Sequence, residues 1–105
     1  MKNISVIFMG TPEFCTPILE YLINDYNVIA VVTQPDKEVG RKKTIEFSPI
    51  KKKALEHNIK VLQPEKIRLE YEEILDLNPD IIVTCAYGQI VPEIILNKPK
   101  YGCIN

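Results

Sequence analysis

Ile4-Ser5-Val6-Ile7-Phe8-Met9, followed at once by Gly10-Thr11-Pro12-Glu13-Phe14, is the stretch on which the fold turns. Its apolar residues run almost unbroken instead of alternating with polar ones, the pattern of a strand buried on both faces. Residues 28–32 and 81–86 repeat that pattern, 59–62 is a shorter version of it, and Cys103-Ile104 supplies a possible fifth strand. Helix signals fall between these runs. Thr16-Pro17 reads as an N-cap with proline in the first turn, and Ile18, Leu19, Leu22 and Ile23 give an apolar stripe, so a helix is expected over 16–24. Ser48-Pro49 repeats the start signal, predicting a helix to about residue 57 with Ile50, Ala54 and Leu55 inward and the lysines outward. Residues 69–77, ended by Asn78-Pro79, make a third, and 92–96 a short fourth. Strands alternating with helices in this way predict an α/β chain: a Rossmann-like parallel sheet with flanking helices and right-handed crossovers.

Composition agrees with one globular unit. The 105 residues are 46% hydrophobic and 26% charged, enough apolar content to bury a core. No apolar run exceeds about six residues, far short of a membrane span, and the opening stretch is expected to be a strand, not a secretory signal. Cys15, Cys85 and Cys103 are odd in number, form no C-x-x-C pair and lie in or beside apolar segments, which fits a reducing, cytoplasmic compartment. The net charge of −1 conceals a division. Residues 37–53 carry seven bases against two acids, for +5, and the other 88 residues carry −6. Such a patch either meets phosphate or forms a solvated loop and lysine-rich helix face; the acidic remainder argues against a general nucleic-acid-coating protein.

In open parallel sheets ligands gather beyond the carboxyl ends of the strands. After the first strand, Gly10-Thr11-Pro12-Glu13-Phe14 matches neither G-x-G-x-x-G nor the P-loop, so a phosphate cradle is not expected there. Pro12 and Phe14 read either as a shaped apolar wall near an organic group or as a plain turn with a buried ring. Thr33-Gln34-Pro35-Asp36 follows the second strand and leads into an eleven-residue loop, 37–47, carrying Gly40-Arg41-Lys42-Lys43. A structureless loop of that length is functional or disordered in most domains. Ala86-Tyr87-Gly88-Gln89-Ile90-Val91-Pro92 is a glycine-centred turn whose free backbone groups suit a flat heterocycle. The cysteines and His57 lack metal-ligand spacing, so no metal is expected, and His57 reads as a surface residue at a helix end.

Taken together, Phe8-Met9-Gly10-Thr11-Pro12-Glu13-Phe14, Thr33-Gln34-Pro35-Asp36, Ser48-Pro49-Ile50-Lys51, Ala86-Tyr87-Gly88-Gln89-Ile90-Val91-Pro92 and Gly102-Cys103-Ile104-Asn105 resemble, in order and spacing, the methionyl-tRNA formyltransferases. The resemblance covers the whole chain. It implies residues 1–105 are the N-terminal portion of a formyltransferase catalytic domain, without the carboxy-terminal tRNA-binding domain. It further implies transfer of a formyl group from 10-formyltetrahydrofolate to the α-amino group of methionyl initiator tRNA, with no metal. Asn105 matches the first of three catalytic residues, the family's His and Asp lying beyond it, so the 105-residue chain alone is expected to be inactive. The resemblance also places Gly88, Gln89 and Ile90 against the folate, Phe14 near the methionine, and Arg41, with Lys42 and Lys43, toward the tRNA acceptor end. A glycinamide-ribonucleotide formyltransferase would be expected to show a glycine-rich phosphate loop after its first strand. Two alternatives remain: an amino-sugar nucleotide formyltransferase fragment, against which the basic loop argues, and a non-catalytic folate-binding or inert fragment.

Overall fold

In the computed structural model, which describes residues 2–105, the buried runs become neighbouring parallel strands. The strands are β1 (Ser5–Gly10), β2 (Asn27–Val32), β3 (Lys37–Val39), β4 (Thr44–Glu46), β5 (Lys60–Leu62), β6 (Ile81–Cys85) and β7 (Cys103–Ile104). The helices are α1 (Thr16–Asp25), α2 (Pro49–Glu56), α3 (Glu72–Leu77) and α4 (Glu93–Leu96). Five strands form one parallel sheet in the order β5-β2-β1-β6-β7. The chain winds outward from β1 through β2 to β5, then returns to the other side of β1 at β6. That reversal leaves a topological switch point between β1 and β6.

Alternation along β1 supplies two cores. Val6 and Phe8 pack with Val31, Cys15, Leu19, Leu22, Ile50 and Ala54 on the face covered by α1 and α2. Ile7 and Met9 pack with Ala30, Val32, Ile67, Ile74, Ile82 and Ile95 on the face covered by α3 and α4. Both faces of β1 are therefore sealed, which is why its sequence shows no polar alternation.

The β1 and β6 strands are pinned at both ends. At the start, Asp80 Oδ2 accepts hydrogen bonds from Ser5 N (2.9 Å) and Ser5 Oγ (3.1 Å), while Asp80 N donates to Ser5 Oγ at 3.0 Å. At the carboxyl end Gly10 pairs with Cys85, and a Cβ on Gly10 would lie 2.9 Å from the Cys85 carbonyl oxygen and 2.7 Å from the Phe8 ring.

Four expectations are corrected. The loop expected over 37–47 is an antiparallel hairpin, β3 with β4, turning through Gly40 (φ 74) and Lys43 (φ 51), with Lys43 N bonded to Gly40 O. Its strands are exposed, so no burial pattern announced them. The helix expected over 69–77 begins only at Glu72, because Leu69 N and Glu70 N both bond Lys66 O and the Glu70 carboxylate accepts from Lys66 N, closing a separate turn. Leu55, expected inward on α2, is half exposed. Cys15 and Cys85, whose spacing suggested no partnership, are joined by a disulfide across 70 residues with Cα atoms 6.1 Å apart, leaving Cys103 free. The Ser48 start signal holds: its Oγ accepts from Lys51 N at 3.0 Å and Pro49 is the first helical residue.

One sheet face stays partly open. Ile4, Val6, Tyr21, Leu22, Tyr26, Ile81, Val83, Tyr101 and Ile104 line an apolar groove of about 460 Å³ beside the short edge strand β7. Contiguous apolar surface next to an unpaired edge favours association, so the 105-residue chain is expected to self-associate in a sedimentation series over concentration; a strict monomer at all concentrations would contradict this. Gly10→Ala is expected to destabilise the protein by about 1–3 kcal/mol, since backbone of β6 must move to admit one methyl. Urea unfolding of parent and variant measures it, and equal midpoints would show that the β1–β6 approach tolerates a side chain.

Candidate active site

The carboxyl ends of β1, β2, β6 and β7 meet at one end of the sheet, and two cavities open there. The larger, about 760 Å³, is lined by Thr84, Ala86, Tyr87, Gln89, Ile90, Val91, Leu96, Asn97, Gly102, Cys103 and Asn105. Its size suits a drug-sized organic ligand. None of these side chains carries a full charge at neutral pH: Tyr87 and Cys103 are protonated there, and burial moves them further from ionisation, pushing the Tyr87 phenol up to about 12 and raising the Cys103 thiol. The smaller cavity, about 260 Å³, lies between Thr11, Pro12, Gln34, Pro35 and the hairpin residues Lys37, Val39 and Glu46, with Phe47 and Ser48 behind them.

Asn105 stands at the rim of the larger cavity, immediately after β7. Thr84 Oγ1 donates to Asn105 Oδ1 at 2.9 Å. Among the described residues no acceptor engages Asn105 Nδ2, so the amide is anchored by its oxygen and presents its N–H groups. Ile90 is almost fully exposed at 92%, an apolar side chain held out beside the cavity.

Tyr87 to Ile90 form a turn with unusual backbone geometry: Ala86 has φ 48 and Gly88 φ 104. Positive φ at a non-glycine residue persists only where the surroundings hold it. They do so here. Thr11 Oγ1 donates to Tyr87 O at 2.8 Å, and Gln34 Nε2 donates to Gly88 O at 3.1 Å. The Gln89 side chain is turned into the protein, not toward the cavity opening. Its Nε2 donates to Gln34 Oε1 (2.8 Å), Pro64 O (3.1 Å) and Glu65 O (3.2 Å), and its Oε1 accepts from Ile67 N at 2.8 Å.

Phe14 lies in a short 3-10 turn, Glu13–Cys15, after β1 and is 70% exposed. That removes the reading of a plain turn with a buried ring; the side chain faces solvent and does not line either cavity. Arg41, Lys42 and Lys43 occupy the exposed tip of the hairpin and form no ion pair among the described residues. His57 is exposed at the end of α2 and far in function from either cavity lining.

Sequence reasoning missed the polar cluster below the hairpin. Lys51, expected outward, is turned in: its Nζ bonds both Asp36 carboxylate oxygens and Gln63 Oε1, each at 3.0 Å, and lies 3.7 Å above the Phe47 ring. Gln63 Nε2 also donates to Asp36 Oδ1 at 2.8 Å. The Gln63 and Lys51 hydrogen bonds hold the Asp36 carboxyl below its ordinary range, so the cluster is intact at neutral pH and weakens only as pH falls into the acid range. The periodicity of α2 gives no sign of this, because a lysine reaching past the helix start obeys the loop rather than the helix face. Thr84 was equally silent, being one polar residue in an apolar strand.

Comparisons with known proteins place this geometry in context. Residues 2–105 match the profile of the formyl transferase family. The chain is 57% identical over 103 residues to a protein of Bacillus subtilis (strain 168) named methionyl-tRNA formyltransferase, covering 95% of this chain and 32% of that protein. It is 60% identical over 105 residues to the protein of the same name from Bacillus cereus (strain B4264), covering 97% of this chain and 33% of the relative. It thus spans about a third of the length of the curated relatives it matches. With the parallel sheet and a match along nearly every residue, the chain belongs to the formyl transferase family.

Proposed function

We propose that this chain is the N-terminal portion of the catalytic domain of a methionyl-tRNA formyltransferase, which moves the formyl group of 10-formyltetrahydrofolate onto the α-amino group of methionyl initiator tRNA. Identity of 57–60% to proteins bearing that name supports the tRNA-directed reading over an amino-sugar nucleotide substrate. The observation that carries it is Asn105, its carbonyl tied down by Thr84 and its N–H groups free at the rim of an uncharged cavity.

The cavity fits the donor's flat ring system in size, in its apolar Ile90, Val91 and Leu96 walls, and in the backbone groups of the Gly88 turn. The folate supplies an activated formyl carbon. As the amine nitrogen adds to that carbon, the carbonyl electron pair moves onto the formyl oxygen; its return breaks the carbon's bond to the folate nitrogen, which leaves with the proton that the attacking amine gives up. A neutral amide N–H aimed at that oxygen stabilises the charge without giving up its proton, and does more for the charged state than for the starting carbonyl. Thr84 fixes which end of the Asn105 amide faces the reaction, so little reorganisation is needed as charge develops. Tyr87 and Cys103 are neutral, burial moving both further from ionisation, and no fixed anion in the lining opposes the oxyanion. Gly88, Gln89 and Ile90 form the donor's wall, with Gln89 acting through the shape of the turn. Arg41, Lys42 and Lys43 are presented for the tRNA phosphates, and Phe14 for the aminoacyl group.

In the full-length protein, Asn105→Ala is expected to lower kcat and kcat/KM together by about 10²–10³, with little change in KM for folate or tRNA. Asn105→Asp should be at least as slow, because a carboxylate faces the developing negative charge. Measuring kcat and melting temperature on both variants separates chemistry from folding: a stable Asn105→Ala protein with near-parent kcat would refute the assignment. For the hairpin, Arg41→Ala is expected to raise KM for tRNA and reduce its salt dependence while folate binding stays unchanged. Equal tRNA kinetics for variant and parent across salt concentrations would leave the hairpin without that role.

A further inference from the structure

Gln34 is where three loops of the site converge. It follows the buried Thr33 directly after β2. Its backbone N–H approaches Thr11 Oγ1 at 3.4 Å, and its carbonyl accepts from Gln63 Nε2 at 3.2 Å. Its side-chain amide bridges to the turn after β6, Nε2 donating to Gly88 O at 3.1 Å and Oε1 accepting from Gln89 Nε2 at 2.8 Å. Every polar atom of the residue thus has a partner on another loop. Gln34 does not line the larger cavity.

We propose that Gln34 is a positioning residue, which holds the Gly88–Gln89 turn in the shape that receives the formyl donor without itself touching the donor. This rests on the larger cavity being the folate site. Ala86 at φ 48 is strained for a residue with a side chain, and Gly88 at φ 104 is a freely hinged glycine, so contacts from outside set the shape of the turn. Three supply them: Thr11 on Tyr87 O, Gln34 on Gly88 O, and the inward Gln89 side chain. Gln34 makes the second outright and is one of the four partners that hold the third. The fit is also close, since a Cβ on Gly88 would lie 2.6 Å from Gln34 Nε2. Without the Gln34 amide, Gly88 O loses its donor, while Gln89 Nε2 keeps Pro64 O and Glu65 O. The turn would therefore relax locally and the sheet would not. Because Gln34 is also bonded through Gln63 to Asp36, at the root of the hairpin, the same residue registers the donor's turn against the basic arm.

The test uses the full-length protein, titrated with 10-formyltetrahydrofolate in the absence of tRNA, with steady-state kinetics and melting temperatures alongside. Gln34→Ala is expected to weaken donor binding about tenfold, the worth of one to two net hydrogen bonds. Gln34→Glu keeps the acceptor for Gln89 but sets a carboxylate against Gly88 O, and should bind the donor at least as weakly. KM for methionyl-tRNA should stay within about twofold of the parent and the melting temperature should hardly move, a split that a general packing role would not produce. In a double-mutant cycle, Gln89→Ala should cost less in the Gln34→Ala background than alone, because the two side chains brace one turn. Parent-like donor affinity in Gln34→Ala overturns the role, as does a parallel fall of donor affinity, tRNA use and melting temperature. If the parent protein does not bind 10-formyltetrahydrofolate, the reading of the cavity itself is overturned, and that result is distinct from both.

Discussion

The close approach of β1 and β6 is the constraint on which the rest depends. Parallel strands joined through distant connections have no turn to fix their register, so something else must. Ser5 and Asp80 fix it at one end by exchanging hydrogen bonds through both side chains. Gly10 fixes it at the other by letting the Cys85 carbonyl and Phe8 ring occupy the space of a side chain. A slip of one residue would move Val6 and Phe8 into the core of Ile7 and Met9, and both faces would lose their packing at once.

That pinned pair determines where chemistry can occur. The loops leaving β1 and β6 are tied together, Thr11 Oγ1 to Tyr87 O, and the larger cavity opens on the β7 side of that seam, lined by residues that follow β6 and flank β7. The turn after β6 is then free to take backbone angles that no strand would tolerate. Thr11, Gln34 and the Gln89 side chain hold it there from outside. The disulfide between Cys15, at the start of α1, and Cys85, at the end of β6, adds a tie from the α1 side. Rigidity at the switch point and irregularity just beyond it are two results of one arrangement.

The central sheet was legible because burial on two faces leaves a direct mark on composition: the unbroken apolar runs of β1, β2 and β6 admit few other readings. Ser48-Pro49 was legible because capping is local chemistry. The hairpin was not, since its strands bury nothing and pair only with each other; Val39 and Ile45 flanking Gly40 were its sole hint. Nor was the Cys15 to Cys85 contact, which depends on strand order rather than spacing. The candidate site divides the same way. Asn105 and the Gly88 turn were named from motifs, whereas Gln34, Thr84 and the Asp36, Lys51 and Gln63 cluster act across 12 to 55 residues and appear only once the loops are brought together.

The larger cavity and the hairpin tip differ in charge, and on the proposed reading the difference bears on how one protein can serve both a small uncharged reaction centre and a polyanion. The larger cavity has an uncharged lining, while the smaller one is bordered by Lys37 and Glu46 at the base of the hairpin whose exposed tip carries Arg41, Lys42 and Lys43. Long-range attraction of phosphate needs net charge and tolerates distance; stabilising an oxyanion needs one well-aimed dipole and tolerates neither competing charge nor loose geometry. Placing cations against the reacting carbonyl would stabilise ground-state anions in the same place, including the phosphates themselves. On the proposed reading the fold avoids this by geometry: the hairpin stands off beyond β2, and the wall between the cavities is built from Thr11 and Gln34, which are polar, uncharged and hydrogen-bonded on both sides. The wall separates the two fields while transmitting position from one loop to the other, which is the combination that a bimolecular transfer between unlike substrates requires.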